Sequence, residues 1–419
     1  MLLAHRALRR LAALLIVASP ASLIAWASVT WGAARPPQIA PRAPRTFDLS
    51  PMPTARDEPE RATSAVVLVV LDGVRAQELF GGADRRLASR RGLDPLVWAN
   101  PRDLTPNLQR KLDTDAVAVG VPGHGAEMVA SGPRFISLPG YLEIFAGRPD
   151  RGCESNECAR PPAHTFAEDV GASSGADDVA VISSWPNIAR AAVSDPSACV
   201  MSAGRRLESR GEALRADPAM PPLLERGAAA TAWPGKGDYR PDALTSKVAL
   251  RYLESARPRF LFVGLGDADE YAHRSDYRGY LEAIHASDAF LGDLFATLAR
   301  MGARGRHTTV LVTADHGRAY SFVDHGARYP ESSRVWLVAA GGDGADLRGH
   351  GLLAAARPHT LSDVAPTVLA LLGIDASPGG QPIDEIVGNL APRPAPGRAR
   401  GVLQSAGGQG GEVAASTAP

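Results

Sequence analysis

Residues 308–326 read TTVLVTADHGRAYSFVDHG, and the interpretation of this stretch decides the fold. Positions 309–312 form a continuous β-branched and apolar run, the pattern of a strand buried on both faces of a parallel sheet. The run breaks at Ala314-Asp315-His316-Gly317, and a second His-Gly pair follows at His325. A carboxylate beside an imidazole, where a buried strand runs out, marks the place where an open α/β sheet puts its active site. Neighbours in extended chain face opposite sides, so Asp315 and His316 share one ion only if the chain turns there, a turn that Gly317 permits. The tripeptide alone is equally a strand end followed by a polar turn.

Outward from this stretch, the same pattern recurs. Ala65–Leu71 is a seven-residue apolar strand that runs into Asp72-Gly73-Val74-Arg75 and is predicted to be central in the sheet. A carboxylate at its tip is costly unless paired or on a metal, or else Asp72 caps a helix from Val74. Phe260–Leu265 runs into Gly266-Asp267-Ala268-Asp269-Glu270-Tyr271-Ala272-His273. Asp269 and His273 are four apart and share one face if the chain coils, which makes a two-ligand unit for a divalent ion. Asp267 and Glu270 compete for the carboxylate role, and Asp267 is also a candidate supporting partner. In 135–148, FISLPGYLEIFAGR, an apolar lead-in precedes Ser137, and Pro-Gly opens a helix that stops at Gly147. That is the shape of a nucleophile at a helix N-terminus, where N–H groups and the helix dipole favour an anion. The other reading is that Ser137 caps the helix.

The remaining pattern alternates strands (179–184, 334–341) with helices. These are 245–256 stopped by Pro258, an amphipathic helix over 280–300, and a helix through Leu372 with Asp363 as its cap and Gly373 as its stop. Such alternation predicts an α/β fold on a mostly parallel sheet. His285, His350 and His359 read as structural, with His350 or His359 able to take the place of His325.

The 419 residues suffice for a full core, and formal net charge is zero with no basic block, which argues against a nucleic-acid partner. Residues 1–35 read as a signal peptide or N-terminal membrane anchor: His5, Arg6, Arg9 and Arg10 precede a largely apolar 11–27, and Ala25-Trp26-Ala27 offers a cleavage site. The expectation is an exported protein, periplasmic, secreted or anchored to the inner membrane by this segment. Residues 36–63 form a Pro-rich linker, 64–390 a catalytic domain with cap or insertion segments at about 79–134 and 199–237, and 391–419 a disordered tail. Cys153 and Cys158 are placed to bridge, leaving Cys199 over.

Asp72, Ser137, Asp269, His273, Asp315, His316 and His325 thus all fall at or just past the ends of apolar strands. Carboxylate and imidazole ligands without cysteine suit two divalent ions, Zn²⁺ first and Mn²⁺ second, spaced about 4 Å apart. On these motifs the chain resembles the alkaline phosphatase superfamily from about Ala65 to Ile383. It is nearest in pattern to the nucleotide pyrophosphatase/phosphodiesterase and cofactor-independent phosphoglycerate mutase branches. LVVLDG carries Asp72. FISLPGYLEIFAGR carries Ser137, where phosphodiesterases usually have Thr and the mutases Ser. DEYAH matches the Asp-x-x-x-His unit with Ala272 for the usual Gly, TADHG supplies Asp315 and His316, DHGARYPESSRVWLVAAG supplies His325, and DVAPTVLALLGI matches the C-terminal helix.

The resemblance implies a three-layer sandwich, a mostly parallel central sheet with helices on both faces. It also implies that Asp269, His273 and His325 hold one ion, while Asp72, Asp315 and His316 hold a second that also binds Ser137. Ser137 would attack phosphorus and form a phosphoserine that water releases, with Asn156 at the distance of a phosphate-contacting Asn. The implied function is hydrolysis of small-molecule phosphate esters, as a phosphodiesterase or phosphatase. Alternatives are a phosphoryl or phosphoethanolamine transferase, a phosphomutase, or a catalytically silent anchored binding module. Tyr141 stands where a sulfatase (C/S)-x-P-x-R motif needs Arg, which argues against that branch.

Overall fold

The structure, a computed structural model, describes residues 64–159, 164–206, 214, 216–341 and 349–388. The expected export segment, the Pro-rich linker and the tail lie outside the described residues. Among the described residues no helix is long and apolar enough to cross a membrane.

The strands, in chain order, are β1 (Ala65–Leu71), β2 (Ala116–Val119), β3 (Met128–Val129), β4 (Val179–Ser183), β5 (Val200–Ala203), β6 (Phe260–Leu265), β7 (Thr308–Thr313), β8 (Arg334–Val335), β9 (Leu337–Gly341), β10 (Gly351–Leu352) and β11 (His359–Thr360). Eight of them form one sheet in the order β10-β2-β9-β7-β1-β6-β4-β5, and β11-β3-β8 form a small second sheet. Within the large sheet β9 alone runs against its neighbours. Every residue of β1, β6 and β7 is buried, so helices cover both faces of the sheet's centre, as the continuous apolar runs require. The expected α/β, mostly parallel architecture is the one observed.

Both segments read from sequence as caps or insertions contribute to the large sheet. Residues 79–134 include β2, and 199–237 include β5. The runs AVAV and VMSA are short and small-sided, so they carry little strand signal on their own. The expected helices appear, two of them starting three residues early, at Asp242–Ala256 and Tyr277–Arg300. In the latter, the side chain of Asp276 accepts the Gly279 N–H and sets the start. Asp363 joins Thr360 in a capping box, and Gly373 ends the Val364–Leu372 helix in the left-handed conformation. Cys153 and Cys158 are joined, and Cys199 is buried outside that bridge. Of the histidines read as structural, His285 Nδ1 meets the Leu104 carbonyl at 2.8 Å and buried His359 lies between Asp363 and Glu385, whereas His350 is exposed.

One side chain ties the sheet to the loop after β1. Trp336, fully buried between β8 and β9, donates its indole N–H to the Val74 carbonyl at 2.9 Å and meets Phe80 edge-on. Trp336→Ala should lower unfolding stability by about 3–5 kcal/mol, read as a drop in the urea midpoint at unchanged m-value.

Candidate metal centre and nucleophile

The three strands that carry carboxylates are neighbours in the sheet, in the order β7-β1-β6, and all three run parallel. Their C-terminal ends therefore open on one edge and bring Asp315, Asp72 and Asp269 together from positions far apart in sequence. Asp72, Asp315 and His316 form one cluster, and Asp269, His273 and His325 another; in each, one ligand atom per residue lies within 4.8 Å of the others. The His316 and His325 rings stack with centroids 4.0 Å apart, which joins the two clusters.

Asp72 is not a helix cap: the next helix starts at Ala76, with Arg75 at its N-cap. Ser137 is not one either. Ile136 occupies the N-cap of the Ser137–Ala146 helix, and the Ser137 hydroxyl turns inward, 3.3 Å from Asp72 Oδ1 and 3.4 Å from His316 Nε2. Asp269 and His273 lie one turn apart on the Asp267–His273 helix, with His273 Nε2 3.1 Å from Asp269 Oδ2. Asp267 takes the supporting role, accepting from Tyr239 Oη at 2.8 Å. Asp242 accepts the N–H groups of Gly266 (2.9 Å) and Asp267 (2.8 Å) and so anchors the start of that helix. Asn156 Oδ1 accepts the Leu138 N–H at 2.9 Å, one residue past Ser137.

The donor set fits cations. His316 Nδ1 lies 2.9 Å from the Gly317 carbonyl and His325 Nδ1 2.9 Å from that of Phe135. A carbonyl only accepts, so both Nδ1 atoms carry the proton and both Nε2 atoms present a lone pair to the site. His325 Nε2 faces His273 Nε2 at 3.0 Å, a contact that needs a proton or a cation between the two nitrogens. Asp315 Oδ1 takes the N–H groups of Gly73 and His316, while its buried Oδ2 has no hydrogen-bond partner among the described residues. Such an oxygen is expensive to bury unless something positive meets it.

Electrostatics separates the clusters. Burial, reinforced by Asp269, raises the Asp72 carboxyl well above the usual range, and burial with Asp72 does the same to Asp315. Burial works to raise Asp269 too, but the Arg318 guanidinium and the His273 ring outweigh it and hold Asp269 well below the usual range. Burial and then His316 depress His325 to about 2, so its ring is neutral.

Arg318, absent from the sequence reading, is fully buried. It donates to Asp269 Oδ1 and to the carbonyls of Phe322 and Val323, tying the loop that carries His325 to the helix that carries Asp269. Its only signal in the sequence is a basic residue one position past Asp-His-Gly. Tyr141, read only as a missing Arg, directs its hydroxyl to Asp72 Oδ2 at 3.3 Å. Gly73 has φ +61°, and a Cβ there would sit 2.6 Å from Asp269 Oδ1. Gly317 serves close packing rather than the expected turn freedom: a Cβ would lie 2.4 Å from the Arg334 carbonyl.

A family profile described as Metalloenzyme superfamily matches residues 239–376, which include five of the six carboxylate and imidazole residues of the two clusters. Over those residues the chain is similar to that superfamily. The 2,3-bisphosphoglycerate-independent phosphoglycerate mutase of Picosynechococcus sp. is 30% identical over 145 residues, 33% of this chain and 27% of that protein. The one from Saccharophagus degradans is 33% identical over 144 residues, 33% of this chain and 25% of that protein. The chain thus spans about a quarter of the length of these curated relatives. A structure solved with its substrate D-glucosamine-2-N,6-O-disulfate superposes with TM-score 0.50 at 14% identity, covering 80% of this chain and 82% of that one. The phosphonate monoester hydrolase of Agrobacterium radiobacter gives TM-score 0.47 at 15% identity, covering 78% and 77%. The structural likeness at TM-score 0.50 shows a shared fold and leaves the reaction open.

Two predictions follow from the charges. Asp72 and Asp315 are raised in the metal-free fold, so their contribution to stability is complete below about pH 4 and fades as pH climbs through their folded values. Thermal melts of metal-stripped protein should therefore weaken as pH rises above about 4, and adding Zn²⁺ should release protons in a pH-stat. His273→Ala should lower bound metal from two ions per chain toward one, measured by elemental analysis.

Proposed function

We propose that this chain is an alkaline phosphatase superfamily member that hydrolyses phosphoric esters, diesters in preference to monoesters, through a phosphoserine on Ser137. The observation that carries the reading is the Ser137 hydroxyl, released from capping and lodged between Asp72 and His316 at the end of β1. Asp72, Asp315 and His316 would hold one divalent ion and Asp269, His273 and His325 the other, Zn²⁺ or Mn²⁺ by the chemistry of the donors. When bound, the two ions supply Lewis acidity that favours the ionised serine hydroxyl and offsets charge on the phosphoryl oxygens.

Ser137 Oγ forms the new bond to phosphorus as the opposite ester bond breaks, and the departing oxygen takes up a proton. Water then cleaves the Oγ–P bond, returning the serine and freeing the phosphate product. The N-terminus of the Ser137–Ala146 helix favours the anion. Because the Asn156 carbonyl oxygen is occupied by the Leu138 N–H, its amide NH₂ is left to donate to a phosphoryl oxygen. Glu143 keeps the helix in place by accepting from Ser131 and Ser362.

The preference for diesters rests on Arg318. A monoester dianion calls for an extra cation on its phosphoryl group, and each guanidinium nitrogen of Arg318 is already bonded within the protein. The N-terminal sequence adds the proposal that the enzyme acts after export.

The test is a panel of nitrophenyl phosphate diesters, monoesters and sulfates given to metal-loaded protein. Diesters should turn over fastest, and Ser137→Ala should lower turnover by about 10³-fold or more while keeping both ions. Mass spectrometry of acid-quenched enzyme should place phosphate on the peptide containing Ser137. Undiminished turnover by Ser137→Ala, or a preference for sulfate esters, would overturn the reading.

A further inference from the structure

A second feature lies outside the metal centre, on the edge formed by residues 84–98. The Arg85–Arg90 helix buries Leu87 and Ala88 and turns Arg85, Arg86 and Arg90 to solvent. At about 100° per residue these three side chains fan over one outer face. None of them has a carboxylate partner among the described residues. The only acids of the stretch, Asp84 and Asp94, are turned onto backbone N–H groups: Asp84 Oδ1 accepts from Arg86 and Leu87, and Asp94 Oδ1 from Leu96. With Arg91 included, four arginines stand against two aspartates in a chain of zero net charge.

Beside this cationic face the chain pushes two aliphatic side chains into water. Leu96 is 69% exposed and Val97 42%. Fraying does not explain that exposure. The Leu93 N–H bonds to the Ala88 carbonyl at 2.9 Å, Val97 N–H to Asp94 at 3.1 Å, and Ala83 N–H to Trp98 at 2.7 Å, while Trp98 stacks on His285. A rigid turn therefore holds the tip outward, next to the arginines.

We propose that this edge docks on an anionic lipid bilayer, the arginines on the headgroups and Leu96 with Val97 in the interfacial layer. Basic residues at a negatively charged leaflet and a small apolar protrusion are the two elements of reversible interfacial binding. A soluble polyanion would satisfy the arginines and leave the aliphatic tip in water. A second copy meeting this edge across a two-fold axis would set arginine against arginine. The edge is also fastened to the metal centre. Arg91 lies 4.5 Å over the Phe322 ring and donates to the Ser275 carbonyl, and the Asp84 N–H reaches Tyr277 Oη at 2.7 Å. Phe322 lies in the loop that ends at His325, and Ser275 is two residues past His273, so docking would fix the orientation of the site to the bilayer.

The surface is read locally, on the full chain, with an environment-sensitive fluorophore on Leu96→Cys; Cys153 and Cys158 are joined and Cys199 is buried, which directs the label. Vesicles containing phosphatidylglycerol should shift its emission to the blue, and pure phosphatidylcholine vesicles should not. About 0.5 M salt should reverse the shift. Replacing Arg85, Arg86 and Arg90 together by Gln should weaken partitioning at least about tenfold, since each basic residue at such a surface is worth several-fold. No shift with anionic vesicles, an equal shift with zwitterionic ones, or a shift produced by soluble polyphosphate alone would each overturn the proposal.

Discussion

Asp72 and Asp315 leave adjacent strands and enter the same buried volume, and two carboxylates there cannot both stay ionised without a cation beside them. Much of the surrounding structure can be understood from that constraint. It accounts for the unpartnered Asp315 Oδ2, for histidines whose Nδ1 atoms are tied to carbonyls so that Nε2 faces the site, and for the close approach of His273 to His325. A carboxylate cluster of this kind lowers the stability of the metal-free protein, a cost that a bound cation would offset.

The scaffold meets the constraint by parallel register. Because β7, β1 and β6 are neighbours running the same way, their ends deliver three carboxylates to one edge without long excursions of the chain. The remaining parts are fixed by local devices: Glu143 accepts bonds that pin the helix starting at Ser137, Asp242 caps the helix of Asp269 and His273 from a distance, and Arg318 bridges the segments that carry Asp269 and His325. Asp269 differs from its counterparts because a fixed cation already lies against it, so the two clusters are unlike in charge although alike in ligand type.

The centre of the fold was legible because fully buried parallel strands announce themselves as unbroken apolar runs, and the ligands sit where those runs stop. Asp72, Asp315 and Asp269 were each readable in that way, and the four-residue spacing from Asp269 to His273 fixed a shared helical face. The edges were not. β2 and β5 are four residues long with small side chains, and the pairing that makes them strands comes from partners more than a hundred residues away or from an edge position. The same limit explains Arg318 and Tyr141. Their roles depend on which strand ends become neighbours, and a polar residue inside a loop or an aromatic inside a helix carries no mark of that in one dimension.

The most direct measurement is anomalous diffraction at the zinc edge from crystals of metal-loaded protein. Two peaks are predicted inside the fold, one within about 2 Å of Asp72, Asp315 and His316 and the other equally close to Asp269, His273 and His325. Zinc confined to the protein surface, or a single peak with His325 turned away from it, would contradict the account.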